Sequence, residues 1–117
     1  MNTENGRIEK TSYTCPECGG AVERVVQDTL TQYRCRIGHL YSPETALLVH
    51  EEREENTLWS AAVLLEEGAE LAEEAAKEEK TAFAREKLLT AASLKRKLAE
   101  QARSIAQEFG KASVRTE

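Results

Sequence analysis

The sequence predicts a small α+β protein dominated by helix, with a short β-rich module to residue 42 and a long antiparallel pair of helices behind it. Three observations predict this. The 117 residues are rich in Ala, Leu, Glu, Lys and Arg, only 5% aromatic, and hold six Gly and two Pro, a composition that favours long helices over a sandwich or barrel. All three Cys, all three Tyr and four of the six Gly fall within the first 42 residues. From residue 44 onward there is no Cys, Pro or Tyr, and apolar residues recur at close to the helical period. The length suits one small domain, or a mini-domain with a helical extension.

Taken in order, residues 1–12 are polar and read as a flexible tail. Residues 13–42 form the β-rich module, in which 21–26 and 30–34 have the composition of short strands and Gln27-Asp28-Thr29 that of the turn between them. Two strands this short do not hold together in water by themselves. Ser42-Pro43-Glu44 is a strong helix start: an N-cap hydroxyl, a proline at the first helical position, and an acid facing the positive end of the helix dipole. The apolar series through Leu47, Leu48, Leu58, Trp59, Ala62, Leu65, Ala69, Ala72 and Ala76 predicts a helix over about 44–78. The apolar-free stretch 51–57 leaves open a break near Asn56.

Residues 77–81 are polar on every side and end in Thr81, a second N-cap candidate. The series Phe83, Leu88, Ala91, Leu94, Leu98, Ala102, Ile105 and Phe109 then predicts a helix over about 81–109, with Gly110 as its C-terminal glycine. The helical hairpin is thus expected over 43–110, and 111–117 as a second flexible tail. Charge supports the reversal. Residues 44–79 carry twelve acidic and two basic residues, a net of −10, and residues 80–117 four acidic and nine basic, a net of +5. Each exposed ion pair is worth only about 0.2–1 kcal/mol, so charge selects the pairing more than it holds it.

Chemistry concentrates in Cys15-Pro16-Glu17-Cys18-Gly19-Gly20 and Cys35-Arg36-Ile37-Gly38-His39. Two thiolates at C-x-x-C spacing bind one tetrahedral ion from a tight turn, and glycine after the second Cys lets the backbone bend toward the sulfurs. The hairpin between the two motifs brings the halves together, so Cys15, Cys18, Cys35 and His39 form a candidate Cys3His site in a zinc ribbon. A closed Cys/His shell favours zinc over iron and a structural role, because four protein ligands leave no position for an activated water. Two plainer readings stand beside it. Cys15 and Cys18 as a redox pair would need a βαβ context, which the chain lacks. The other is a buried structural thiol at Cys35 with a surface imidazole at His39.

The run Tyr13-Thr14-Cys15-Pro16-Glu17-Cys18-Gly19-Gly20, then Tyr33 to Glu44 with Cys35, Gly38-His39 and Tyr41-Ser42-Pro43, then Leu58-Trp59-Ser60-Ala61, resembles an accessory module that follows the catalytic domain of chemotaxis-type protein-glutamate methylesterases in bacteria. The resemblance covers about residues 12–109. It implies a metal site at Cys15, Cys18, Cys35 and His39 with a helical hairpin behind it, and an association with chemotaxis-like signalling. The esterase activity does not carry over: the chain has no G-x-S-x-G nucleophile elbow and is too short for the catalytic fold.

Other candidates carry less. His50-Glu51-Glu52-Arg53-Glu54 has one histidine of an H-E-x-x-H zinc helix and Glu54 in place of the second. Lys95-Arg96-Lys97 and Arg103 lack interleaved aromatics and are expected to face the acidic helix or water. Trp59 sits at core spacing with Ala62. A net charge of −5 and a nearly neutral ribbon argue against nucleic-acid binding, although a nucleic-acid-binding zinc ribbon, such as a small transcription regulator, is the alternative function. The polar start without an apolar signal core, and an apolar run no longer than Ala61–Leu65, lead to the expectation of a cytoplasmic protein that does not enter a membrane. The expected function is a non-catalytic, zinc-binding protein–protein interaction module. Its helical hairpin has a wide apolar arc that pairs with a second hairpin or docks on a partner.

Overall fold

A computed structural model describes residues 6–115 of the chain. The order of elements is β1 (Gly6–Thr14), β2 (Ala21–Gln27), β3 (Leu30–Cys35), β4 (Leu40–Tyr41), α1 (Pro43–Glu78) and α2 (Ala82–Ala112). The small α+β class with an N-terminal ribbon and an antiparallel helical hairpin is therefore the observed one. The chain divides into two compact units, Met1–Arg53 and Glu54–Glu117, each described in turn.

The first unit contains a four-stranded antiparallel meander in the order β1-β2-β3-β4. β2 and β3 pair from Val22 opposite Cys35 to Gln27 opposite Leu30, around a two-residue turn at Asp28-Thr29. Asp28 takes φ +56° there, a left-handed conformation that a short polar side chain tolerates better than most. The expected tail over 1–12 is corrected from Gly6 onward: residues 6–14 form β1, which pairs with β2 in the register Glu9 opposite Arg24. Residues 1–5 lie outside the described residues. This edge strand is easy to miss because charge holds much of it. Arg24 donates to Glu9 at 2.9 Å, and Thr11 Oγ1 donates to the Val22 carbonyl at 2.7 Å. Ile8 is its main aliphatic side chain and stays 44% exposed.

Helix α1 starts as its sequence dictates. The Thr45 amide donates to Ser42 Oγ at 3.2 Å, with Pro43 as the first helical residue. It runs unbroken past Asn56 to Glu78. Thr81 caps α2, accepting from the Ala84 amide at 3.1 Å. α2 continues through Gly110 to Ala112 with Ser113 as its C-cap, so the expected helix end and the start of the second tail both move. Gly110 does not adopt positive φ, which among the described glycines occurs at Gly19 and Gly38, and so it cannot close the helix as a left-handed cap. Residues 116–117 lie outside the described residues. No helix is long and apolar enough to cross a membrane among the described residues.

The seam of the hairpin is made of alanine. Ala62, Ala69 and Ala76 on α1 and Ala92, Ala99 and Ala106 on α2 are the fully buried apolar residues described in the second unit, each series recurring every seventh position. Methyl-sized knobs let the two helices approach closely. On α1 the buried alanines belong to the expected apolar series; on α2 the expected Ala91, Leu98 and Ile105 each stand one position before a buried alanine, so that Leu94, Leu98 and Ile105 are 55%, 41% and 55% exposed, and Trp59 is half-buried. Along one side of the seam Arg96 donates to Glu73 at 2.7 Å and Arg103 to Glu66 at 3.1 Å. These are the pairs foreshadowed by the opposite net charges of the two segments.

Two outcomes follow. Ala99→Leu forces a large side chain into the closest approach of the helices and should destabilise the hairpin by about 1–3 kcal/mol, whereas Val63→Ala, at an exposed position, should change it by less than about 0.5 kcal/mol. Chemical denaturation read by helical circular dichroism separates the two. The Arg103 and Arg96 side chains hold the carboxyls of Glu66 and Glu73 below the ordinary value of 4.5. Carboxyls whose pKa is depressed on folding stabilise the folded state above their unfolded pKa, and that contribution disappears as pH falls through the folded value. The hairpin should therefore lose thermal stability as pH drops below about 4.5, and the Glu66→Gln, Glu73→Gln double variant should show a flatter acid limb.

Candidate metal centre

Two matching turns build the site. In the first, the Cys15 amide donates to the Gly20 carbonyl at 2.8 Å and the Gly19 amide to the Cys15 carbonyl at 2.8 Å; in the second, the Cys35 amide donates to the His39 carbonyl at 3.0 Å and the Gly38 amide to the Cys35 carbonyl at 3.2 Å. Each turn passes through a left-handed residue, Gly19 at φ +76° and Gly38 at φ +108°. At these positions a side chain would strain the backbone. Val22 opposite Cys35 in the β2–β3 register then carries one turn to the other.

The structure brings all four expected ligands together. The donor atoms of Cys15, Cys18, Cys35 and His39 lie within 4.8 Å of one another. Cys18 Sγ is 3.7 Å from Cys35 Sγ, and His39 Nδ1 is 3.5 Å from Cys15 Sγ and 3.3 Å from Cys35 Sγ. Metal–sulfur bonds of about 2.3 Å and metal–nitrogen bonds of about 2.0–2.1 Å at tetrahedral angles would require edges of about 3.8 Å between sulfurs and about 3.5 Å between sulfur and nitrogen. These three of the six edges match a tetrahedral ion with Nδ1 as the imidazole donor, and the remaining edges lie within 4.8 Å. Cys15 and Cys35 are buried, His39 half-buried and Cys18 exposed.

The surroundings favour thiolates at two of the three cysteines. Burial opposes ionisation of Cys15, yet the amides of Cys18 and Glu17 outweigh it and lower its pKa. Burial likewise opposes the Cys35 thiolate, but the amides of His39 and Ile37 lead the groups that bring its pKa down to about 6. At Cys18 the Gly20 amide favours the thiolate, but burial and the neighbouring Cys35 and Cys15 sulfurs together raise the pKa. Three like charges cannot share so small a space without a cation to offset them. The Cys35 sulfur beside Nδ1 raises the pKa of the His39 imidazole, with burial acting against.

Two neighbours of the cluster were not singled out from the sequence. Glu17 Oε1 lies 3.0 Å from His39 Nε2, so a carboxylate accepts from the imidazole nitrogen opposite the donor atom. That contact fixes the ring and selects the tautomer that leaves Nδ1 free to ligate. Its signal was available: a carboxylate inside a C-x-x-C turn cannot lie far from the other ligands. Tyr41, two residues after His39, places its hydroxyl 3.9 Å from Cys15 Sγ; burial first and that sulfur second raise its pKa. Around the site, Tyr33 and Tyr41 pack on a buried cluster of Cys15, Val22 and Cys35, and Tyr13 meets Tyr33 edge-on with ring centroids 5.6 Å apart.

The remaining candidates fall as the pattern suggested. His50 is exposed on α1 and is not part of the metal-type cluster found among the described residues. Arg96 and Arg103 bind the acidic helix through Glu73 and Glu66. No protein-family model, curated protein or solved structure matches the chain.

Glu17→Gln keeps the size of the side chain but removes the charge facing His39. Because Glu17 is half-exposed, metal affinity should fall toward the lower end of the usual range for such partners, about tenfold, with the fold retained. Competition against a chromophoric zinc chelator measures it.

Proposed function

We propose that Cys15, Cys18, Cys35 and His39 hold one Zn2+ ion as a structural tetrahedral site, and that the chain is a non-catalytic protein–protein interaction module. The observation that carries the metal assignment is the gathering of all four donor atoms within 4.8 Å of one another, with 3.7 Å between the Cys18 and Cys35 sulfurs and 3.3–3.5 Å from His39 Nδ1 to the Cys35 and Cys15 sulfurs, close to three of the six edges of a zinc tetrahedron. Three thiolates and one imidazole form a soft, mixed donor set that suits zinc. Four protein donors complete the coordination, so the ion supplies folding free energy rather than an activated water. In small zinc modules that contribution is on the order of 10–16 kcal/mol, far beyond what a sheet with so few buried apolar side chains can provide.

The interaction role rests on the hairpin, which keeps most of its large aliphatic side chains on the surface. The accessory role in chemotaxis-like signalling rests on the resemblance of residues 12–109 to modules that accompany methylesterases. A pull-down from the native host with zinc-loaded protein should enrich chemotaxis-type signalling proteins over an unrelated bait of similar size and charge, and recovery no greater than on that bait removes the signalling reading.

Native-purified protein should contain one zinc per chain, and X-ray absorption at the metal edge should show three sulfur neighbours and one nitrogen. Cys18→Ser should lower zinc content sharply. Protein without stoichiometric metal, or an absorption edge belonging to iron, would overturn the assignment.

A further inference from the structure

Beyond the seam and the ion pairs, the hairpin has a second apolar side. At about 100° per residue, the positions next to the α1 seam run through Leu65, Ala72, Ala61, Gly68, Ala75 and Leu64, with no charged residue among them. On α2 the corresponding sector holds Ala102, Ala91, Leu98, Ile105 and Leu94. Because the helices are antiparallel, both sectors open to the same side, opposite the Glu66–Arg103 and Glu73–Arg96 pairs. Leu64, Leu94 and Ile105 are 65%, 55% and 55% exposed.

We propose, building on the interaction-module reading, that this face binds a second copy of the chain. The two hairpins pair about a two-fold axis parallel to the helices, and α1 of each lies antiparallel on α2 of the other. Three observations select this occupant and this arrangement. The first is charge. The segment containing α1 has a net charge of −10 and that containing α2 a net of +5, so α1 on α2 attracts, whereas the other face-to-face packing stacks one acidic helix on another.

The second is fit. The ion pairs Glu66–Arg103 and Glu73–Arg96 fix which residues share a level along the hairpin, and a two-fold axis parallel to the helices preserves those levels. Leu98 then meets the partner copy's α1 at the level of Leu71 and Ala72, midway between Gly68 and Ala75. Ile105 meets it at the level of Leu64, midway between Ala61 and Gly68. Large knobs on α2 thus face the small-residue holes of an antiparallel α1.

The third is area. Two helices side by side are about 20 Å across, and 88–109 spans about 30 Å. This gives a footprint of order 600 Å2 before corrugation, comparable to the roughly 800 Å2 each partner contributes to a stable interface. One charged side chain, Lys95, crosses this face. Its Cδ lies 3.3 Å from where a Cβ on Gly68 would stand, and its flexible stem has to swing outward when the copies meet.

Size-exclusion chromatography with light scattering on the zinc-loaded full chain, at high micromolar concentration, is the test, with metal content measured on the same fractions. The expected mass is twice the 13.1 kDa of the chain. Leu98→Glu and Gly68→Leu should each return it to a single chain with zinc content and helical signal unchanged, and Lys95→Met should extend the dimer to lower concentration. A photo-crosslinking p-benzoylphenylalanine at position 98 should label α1 of the partner copy within isolated cross-linked dimers. Zinc-loaded protein that stays monomeric overturns the pairing while leaving the zinc module intact. A dimer that survives both Leu98→Glu and Gly68→Leu, or that cross-links position 98 to α2, overturns it as well. Absence of zinc counts against the module whatever the mass.

Discussion

The ribbon depends on bringing three sulfurs and one imidazole nitrogen to within bonding distance of a single point. Its buried cluster is Cys15, Val22 and Cys35, so two of the three residues that would ordinarily form a hydrophobic core are themselves metal-type ligands. Val25 adds one more buried aliphatic side chain. A sheet of four short strands with so little apolar burial cannot offset the conformational entropy of ordering it. The two glycine-bent turns, the sulfur-directed amides and the Glu17–His39 contact all serve the donor geometry. They bring little hydrophobic burial of their own. Metal binding and ribbon folding are, on this view, one event.

The hairpin follows the opposite logic. Its helices are held by an alanine seam repeated every seventh residue and by ion pairs along one side, and neither needs a ligand. Alanine costs no side-chain entropy and favours helix, but it buries little surface. Close helix approach therefore leaves Leu64, Leu71, Leu94 and Ile105 facing outward. On the proposed reading, the outward leucines of the second unit serve a neighbouring chain, and the Cys3His cluster folds the first unit.

The Cys3His cluster was legible because spacing encodes it: C-x-x-C and C-x-x-x-H fix local turns, and a short hairpin fixes their meeting. The two helices were legible from caps at Ser42 and Thr81 and from the change of charge between them. β1 was not, because residues 6–14 present only Ile8 as an aliphatic anchor and gain their place from pairing with β2 and from Arg24. On α1 the expected apolar series already contained Ala62, Ala69 and Ala76, the residues buried in the seam; on α2 it fell one position off, because periodicity finds the most hydrophobic stripe, here Ala91, Leu98 and Ile105. Close approach selected the adjacent stripe of Ala92, Ala99 and Ala106. Gly110 read as a helix end, yet composition alone does not reveal whether a glycine takes positive φ. Glu17 was hidden in plain view, since a carboxylate between two cysteines looks like turn filler until the imidazole is placed.

Residue-resolved hydrogen exchange of the full chain, with and without a zinc chelator, tests most directly whether a metal folds the ribbon. With metal, amides of β2 and β3 and those of Glu17 and His39, which point at sulfur, should be protected. On chelation that protection should vanish together while the amides around Ala69 and Ala99 stay protected. A ribbon whose protection persists after the metal is gone would contradict the claim that the Cys3His cluster is what folds it.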